Sequence, residues 1–144
     1  MRFKLALDVD RALAEVWSYV TDPGNLPEWQ SSAIEARKEA DGPLRVGSRV
    51  REVRKFLGRR AESELEVTEY ERERRFSLRV VDGPVKYAVQ HTFEAIDGGT
   101  RVAVVVEGTP AKAVRLAGPI VARAAEREFR ADFERLKRVL ESRG

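Results

Sequence analysis

The feature that most constrains this chain is a stretch from Ile34 to Thr109 in which hydrophobic residues return, with few exceptions, at every second position. Alternation of that kind puts apolar side chains on one face of a strand and polar ones on the other, so the stretch demands a sheet with one covered face. Breaks at Asp41-Gly42-Pro43, near Gly58, near 71–74, at Asp82-Gly83-Pro84 and at Asp97-Gly98-Gly99 divide it. The predicted strands run over about 33–40, 48–57, 60–69, 75–82, 85–96 and 100–108. Connections this short imply antiparallel neighbours. A seventh strand precedes them, where Phe3, Leu5, Leu7 and Val9 alternate with Lys4, Ala6 and Asp8.

Such a sheet needs a cover, and the C-terminal segment supplies one. Over 111–143 the spacing predicts a long helix with Val121, Ala125, Phe129, Phe133, Leu136 and Leu140 on one apolar face. Arg and Glu occupy the rest, with Glu126–Arg130 and Glu134–Arg138 spaced as pairs one turn apart. Gly118-Pro119 interrupts the segment, because an internal proline removes a backbone bond and clashes with the preceding turn. The helix must bend there or begin there, and 111–121 is a candidate gate. Near the other end, Asp10 is a candidate N-cap for a short helix carrying Leu13, Val16, Trp17 and Val20. Asp22-Pro23-Gly24 ends it, and Leu26, Pro27 and Trp29 suggest a second, very short helix. The expected architecture is α+β: a seven-stranded curved antiparallel sheet around a long C-terminal helix, with two short helices after the first strand. One domain is expected to span 1–144.

Composition narrows the function classes. Lys and Arg total 27 against 24 Asp and Glu, a net of +3, and the charges are interspersed. A nucleic-acid footprint would be a basic face or stripe, so no nucleic-acid partner is expected. The absence of cysteine rules out disulfides, thiolate metal sites and Cys nucleophiles, and a single histidine argues against a structural zinc. No resident metal or cofactor is expected. No apolar run is long enough for a signal peptide or a membrane span, which leaves a cytoplasmic protein, monomer or homodimer, without stable membrane insertion.

Candidate site residues fall on the inward phases. His91, in Tyr87-x-Val89-x-His91-x-Phe93, should point inward, either as a satisfied wall histidine or as the candidate catalytic base. Glu52 and Arg54 share a face with Val50 and Phe56, opposite Arg49, Arg51, Val53, Lys55 and Leu57, and counting alone leaves open which face is inward. Turned inward, the carboxylate and guanidinium would pair with each other or with a polar group of a ligand, since unpaired buried charges are costly. Leu65, Val67, Phe76, Leu78, Val89 and Phe93, with Val121 on the last helix, would line a pocket or fill a core. A lining and a core carry the same pattern. Trp17 is most simply core, whereas Trp29, in a loop-like segment, caps the core or touches a ligand. Tyr70 and Tyr87 could offer hydroxyls, and Glu107 a carboxylate at a cavity mouth.

The element order, with Val16-Trp17, Asp22-Pro23, Leu26-Pro27-Glu28-Trp29, Val46-Gly47, Thr68-Glu69-Tyr70-Glu71 and Gly118-Pro119 in place, resembles the START-like (SRPBCC) superfamily, and most closely its polyketide cyclase/dehydrase branch. The resemblance implies a helix-grip fold with a cavity between sheet and C-terminal helix. Relatives often carry proline after the position of Tyr70, where this chain has Glu71-Arg72-Glu73-Arg74-Arg75, a change expected to touch only a surface turn. Such a fold hosts many functions, so function must be read from the site. The first expectation is binding of a small, largely apolar molecule of lipid, isoprenoid or polyketide-like character. The alternatives are an aromatase/cyclase or dehydratase acting on a polyketide-like substrate, and a ligand-free interaction protein with a filled core.

Overall fold

A computed structural model of the chain describes residues 1–56, 58–109 and 118–143, without the side chains of Phe56 and Thr109. Strand β1 (Arg2–Val9) leads into helix α1 (Leu13–Val20), a 3-10 turn (Pro23–Asn25) and the single-turn helix α2 (Leu26–Trp29). Six strands follow: β2 (Ala33–Lys38), β3 (Arg49–Phe56), β4 (Arg59–Glu71), β5 (Arg75–Asp82), β6 (Lys86–Ile96) and β7 (Gly99–Thr109). The last element is helix α3 (Gly118–Glu141). The strands form one antiparallel sheet in the order β1-β7-β6-β5-β4-β3-β2. Only the β1–β7 pairing joins strands distant in sequence, and it matches Phe3 with Val106, Leu5 with Val104 and Leu7 with Val102.

That pairing needs glycine at its end. A Cβ added to Gly99 would sit 2.2 Å from the Val9 carbonyl oxygen, so only a bare backbone lets β7 start this close to β1. Strand β4 carries irregularities between Glu64 and Leu65 and between Val67 and Glu69. The second lets Tyr70 follow Leu65 and Val67 inward, a phase change that strict alternation hides, and extends β4 past its predicted end. In the β4–β5 turn, Glu73 takes a left-handed conformation at φ 61°.

Helix α3 lies along β1. Phe129 meets Phe3 edge-on, with ring centres 5.3 Å apart. Arg130 donates to the Lys4 carbonyl at 2.9 Å and Lys137 to the Asp8 carbonyl at 2.6 Å. Burial is deepest in the second half of the helix, where Phe133, Leu136 and Leu140 are sealed against the sheet. Each such side chain contributes about 1.5–3 kcal/mol by leaving water. In the first half Ile120 is 78% exposed. The helix starts with Gly118 at φ 50° and Pro119 in the first turn, where a missing N–H costs nothing. Most of the candidate gate lies outside the described residues.

Two local expectations are corrected. Asp10 does not cap α1: the N-cap is Ala12, with no side-chain bond, and the Asp10 backbone N–H instead donates to Glu141 Oε2 at 2.8 Å. A bend at Asp10-Arg11, closed by the Arg11 N–H on the Val9 carbonyl at 2.8 Å, and an extended Ala12 intervene before the helix. Of the helix pairs, Glu126–Arg130 forms at 3.4 Å, but Glu134 and Arg138 make no ion pair among the described residues. At that end the bridge is Lys137–Glu141 at 2.9 Å.

Candidate functional site

Between the sheet and α3, closed at one end by α1 and α2, lies a cavity of about 60 Å³. Its floor comes from alternate residues of four strands: Val50, Glu52 and Arg54 of β3, Leu65 of β4, Phe76 and Leu78 of β5, and Tyr87, Val89 and His91 of β6. Its roof is Phe129 and Phe133 of α3, and its closed end is Val20, Thr21, Pro23, Leu26, Trp29 and Gln30. The phase of β3 left open by counting is thus settled: Val50 and Glu52 face inward and are buried. β3 is also not an edge strand, because β2 pairs outside it. Of the sequence candidates, the cavity brings together Trp29, Glu52, Arg54, Leu65, Phe76, Leu78, Tyr87, Val89 and His91.

The others lie elsewhere. Val67 and Phe93 are fully buried in the core rather than at the cavity wall. Val121, half-buried near the start of α3, is not part of the lining, because the helix reaches the cavity only two turns later, at Phe129. The Phe56 side chain lies outside the described residues. Tyr70 packs on Trp17 and Phe76, at 5.4 and 6.1 Å between ring centres. Glu107 is exposed and pairs with Arg2 at 2.9 Å on the outer surface. Gln30 and Thr21 were not anticipated, because a lone amide or hydroxyl in a turn carries no periodic signal. Phe129 and Phe133 were visible as helix stripe but not as cavity roof.

One wall is polar. Arg54 donates through Nε to Glu52 Oε1 at 2.9 Å, through Nη1 to Ser32 Oγ at 2.9 Å, and through Nη2 to Gln30 Oε1 and Glu52 Oε1, both at 2.5 Å. Tyr87 donates to Glu52 Oε2 at 3.4 Å. Burial works against the Arg54 charge, but the facing Tyr87 and Glu52 oxygens outweigh it and hold the guanidinium above its ordinary pKa. Burial likewise pushes the Tyr87 hydroxyl well above its ordinary value. The pair is therefore internally neutralised, and its hydrogen-bonding capacity is largely used within the wall.

The rest of the lining is largely apolar. His91 stacks against Phe76 and Phe93, with ring centres 5.8 and 6.3 Å away. Its Nδ1 lies 2.9 Å from the Phe76 carbonyl oxygen. A carbonyl only accepts, so Nδ1 carries the proton and Nε2 is left as an acceptor. Burial lowers the imidazole pKa to about 4, against a smaller opposing effect of the Phe76 bond. Trp29 is 1% exposed, and its Nε1–H is the one buried side-chain polar atom without a hydrogen-bond partner among the described residues. Leaving such a donor unmet costs about 1–3 kcal/mol. On α3 the buried Asp132 accepts from the Ser31 N–H at 3.1 Å, which pins the connection after α2 to the helix. Burial raises the Asp132 pKa.

The space is small for its lining. About 60 Å³ accommodates about two waters at roughly 30 Å³ each in the liquid, whereas small-molecule pockets run from about 300 Å³. A second pocket of about 170 Å³, reached past Ala61, Ser63, Val85 and Ala125, shares Arg54, Tyr87 and Phe129 with the first. Those side chains are a partition between an inner and an outer chamber. Phe129, half-buried, is the apolar member of that partition.

Among the described residues, no cluster of His, Asp and Glu could hold a metal ion, and no helix is long and apolar enough to cross a membrane. No curated protein sequence matches the chain. Solved structures match over almost its full length at low identity. A START superfamily protein from Mycobacterium smegmatis is 15% identical, with 97% of each chain covered and a TM-score of 0.79. A conserved protein from Geobacillus kaustophilus is 14% identical, covering 97% of this chain and 95% of its own, with a TM-score of 0.80. A protein from Arthrobacter aurescens is 17% identical, covering 99% and 87%, with a TM-score of 0.74. These likenesses establish the START-like, helix-grip fold. The family model described as polyketide cyclase / dehydrase and lipid transport matches residues 2–141. The chain therefore belongs to the polyketide cyclase/dehydrase and lipid transport family.

Proposed function

We propose that the protein is a single START-like domain spanning 1–144 that binds a small, largely apolar molecule of lipid, isoprenoid or polyketide-like character between the sheet and α3, in the cytoplasm. The observation that carries this reading is the cavity itself. Aromatic and aliphatic side chains from four strands and α3 converge on a space that they leave unfilled, beside an internally neutralised Arg54–Glu52 pair. Close packing is the rule in protein interiors, and a void with an unpaired donor in its wall is a cost that binding would offset. Apolar burial would supply most of the affinity, at about 25 cal/mol per Å² before the cost of association. A bound molecule must displace Phe129 and occupy both chambers.

The alternative, a cyclase or dehydratase, would use His91 to move protons. Among the described residues His91 has no carboxylate within hydrogen-bond reach, and Glu52 is engaged by Arg54 and Tyr87. Binding is therefore the better-supported reading. Native mass spectrometry of the purified protein, followed by denaturation and extraction, tests it. A stoichiometric apolar passenger supports binding and gives its chemical class. A protein that stays empty, and that takes up no apolar molecule when offered a panel of lipids and polyketide-like phenols, contradicts it.

A further inference from the structure

An arginine buried in a cavity wall is ordinarily an anchor for an anion, because its planar fork holds a carboxylate or phosphate through two hydrogen bonds at once. Arg54 stands in that position, lining both chambers with its side chain only 21% exposed. Here the chain itself already supplies the anion. Glu52, two residues earlier on the same inward row of β3 and 4% exposed, accepts from Arg54 Nε at 2.9 Å and from Nη2 at 2.5 Å on its Oε1. Arg54 donates further to Ser32 Oγ and Gln30 Oε1, and Asp132 of α3 lies near enough to attract the guanidinium as well. Among the described residues, nothing else in the inner lining carries a positive charge. Burial lowers the His91 pKa to about 4, so the ring is uncharged at neutral pH, and Tyr87 gives its proton to Glu52. In the outer chamber the exposed Lys55 is matched by the exposed Glu128, one charge of each sign.

We infer that Glu52 determines the specificity of this cavity: by occupying Arg54 it makes the site take uncharged molecules and turn away carboxylates and phosphates. The inference rests on the binding reading above and narrows its ligand class to neutral compounds, such as alcohols, phenols, esters and ketones, as against ionised acids. An entering anion would shed its water, find the guanidinium committed, and meet the Glu52 carboxylate in the same wall. The low dielectric of an interior strengthens that repulsion. A neutral group has only to be desolvated. The same wall becomes an anion site once Glu52 loses its charge, because the guanidinium stays protonated and is left without a counter-ion. The consequence is a gain of binding, which a merely damaged protein would not show.

The test compares 2-naphthamide with 2-naphthoate, which share size and shape and differ in charge, by calorimetric titration at about pH 8, where a carboxylic acid is ionised. The wild type should bind the amide about tenfold more tightly or better. Glu52→Gln should bring the two to parity or invert their order. Glu52→Leu/Arg54→Met, which has no charge to offer, should keep the preference for the amide. A readout on the wild type alone covers the chance that Glu52→Gln fails to fold. If only the neutral acid enters, its apparent affinity rises about tenfold for each unit as the solution goes from about pH 7 to about pH 5, following the protonated fraction, while that of the amide stays level. A wild type that binds naphthoate as tightly as the amide, with an affinity flat in pH, would overturn the inference and leave binding intact. A folded Glu52→Gln variant that still rejects naphthoate would overturn it too. If neither compound binds at any pH, the binding reading fails and takes this inference with it.

Discussion

The two ends of the sheet's concave face start from the same sequence pattern and finish differently. At the end under α1, Trp17 makes edge-on contacts with Tyr70, Phe76 and Phe93 at 5.4, 6.3 and 5.1 Å, and Val9, Val16 and Val102 are sealed from solvent. At the end toward β3, the same inward rows carry Glu52, Arg54 and Tyr87 around open space. One end is a finished core. The other is a core interrupted by an ion pair that holds its own neighbours apart. The difference lies not in hydrophobicity but in whether an aromatic side chain from another element reaches down to fill the layer. Trp17 does so from α1; Phe129 stops short, half-buried above the cavity.

The contrast can be broken most severely at the filled end. Trp17→Ala removes three aromatic contacts and leaves a void that the surrounding valines cannot close. The expected loss is about 4 kcal/mol in denaturant unfolding. At the open end, Glu52→Gln strands the Arg54 guanidinium among residues selected for a paired charge. Allowing for the partial exposure of Arg54, the expected cost is about 3 kcal/mol, with most of it recovered in the double variant Glu52→Leu/Arg54→Met. Failure of the double variant to recover stability would show that Gln30 and Ser32 depend on the guanidinium.

A third effect is in pH. His91 has a folded pKa of about 4, below its ordinary 6.5, so between those values the unfolded chain binds the extra proton. Stability is therefore fully present above pH 6.5 and falls as the solution is acidified toward pH 4, by roughly 1 kcal/mol per pH unit. Carboxylates also titrate near the lower limit, so the slope to measure is the difference between wild type and His91→Phe. The smallest change is at Phe129. Phe129→Ala merges the two chambers at a cost of about 1 kcal/mol, since the side chain is only half-buried, and should speed ligand uptake at least severalfold in stopped-flow mixing.

Much of this molecule was legible beforehand. The period-two rows predicted seven strands with antiparallel neighbours, though not the β1–β7 pairing, and the apolar stripe on α3 predicted its packing face, because burial of one face writes itself into spacing. The candidate site was legible only as a set of inward residues. Alternation places Tyr87 and His91 inward and leaves the phase of Glu52 open, and it cannot say that Val67 and Phe93 end in solid core while Leu65 and Val89 border a cavity. That distinction depends on which side chains arrive from α1, α2 and α3, a matter of three-dimensional reach. The β4 irregularity that sends Tyr70 inward, and the Gln30 amide that completes the Arg54 network, leave no periodic trace. Asp10 misled for a related reason: a good capping residue is useful only if the helix begins next to it.

The central claim is that an apolar molecule lodges at the open end of the concave face and not at the filled end. Methyl-labelled protein titrated with 2-naphthol tests it most directly. Shifts and intermolecular nuclear Overhauser contacts are expected at Leu65, Leu78 and Val89, with Val9, Val16 and Val102 silent. Contacts confined to the outer surface, or spread evenly over both ends, would contradict it.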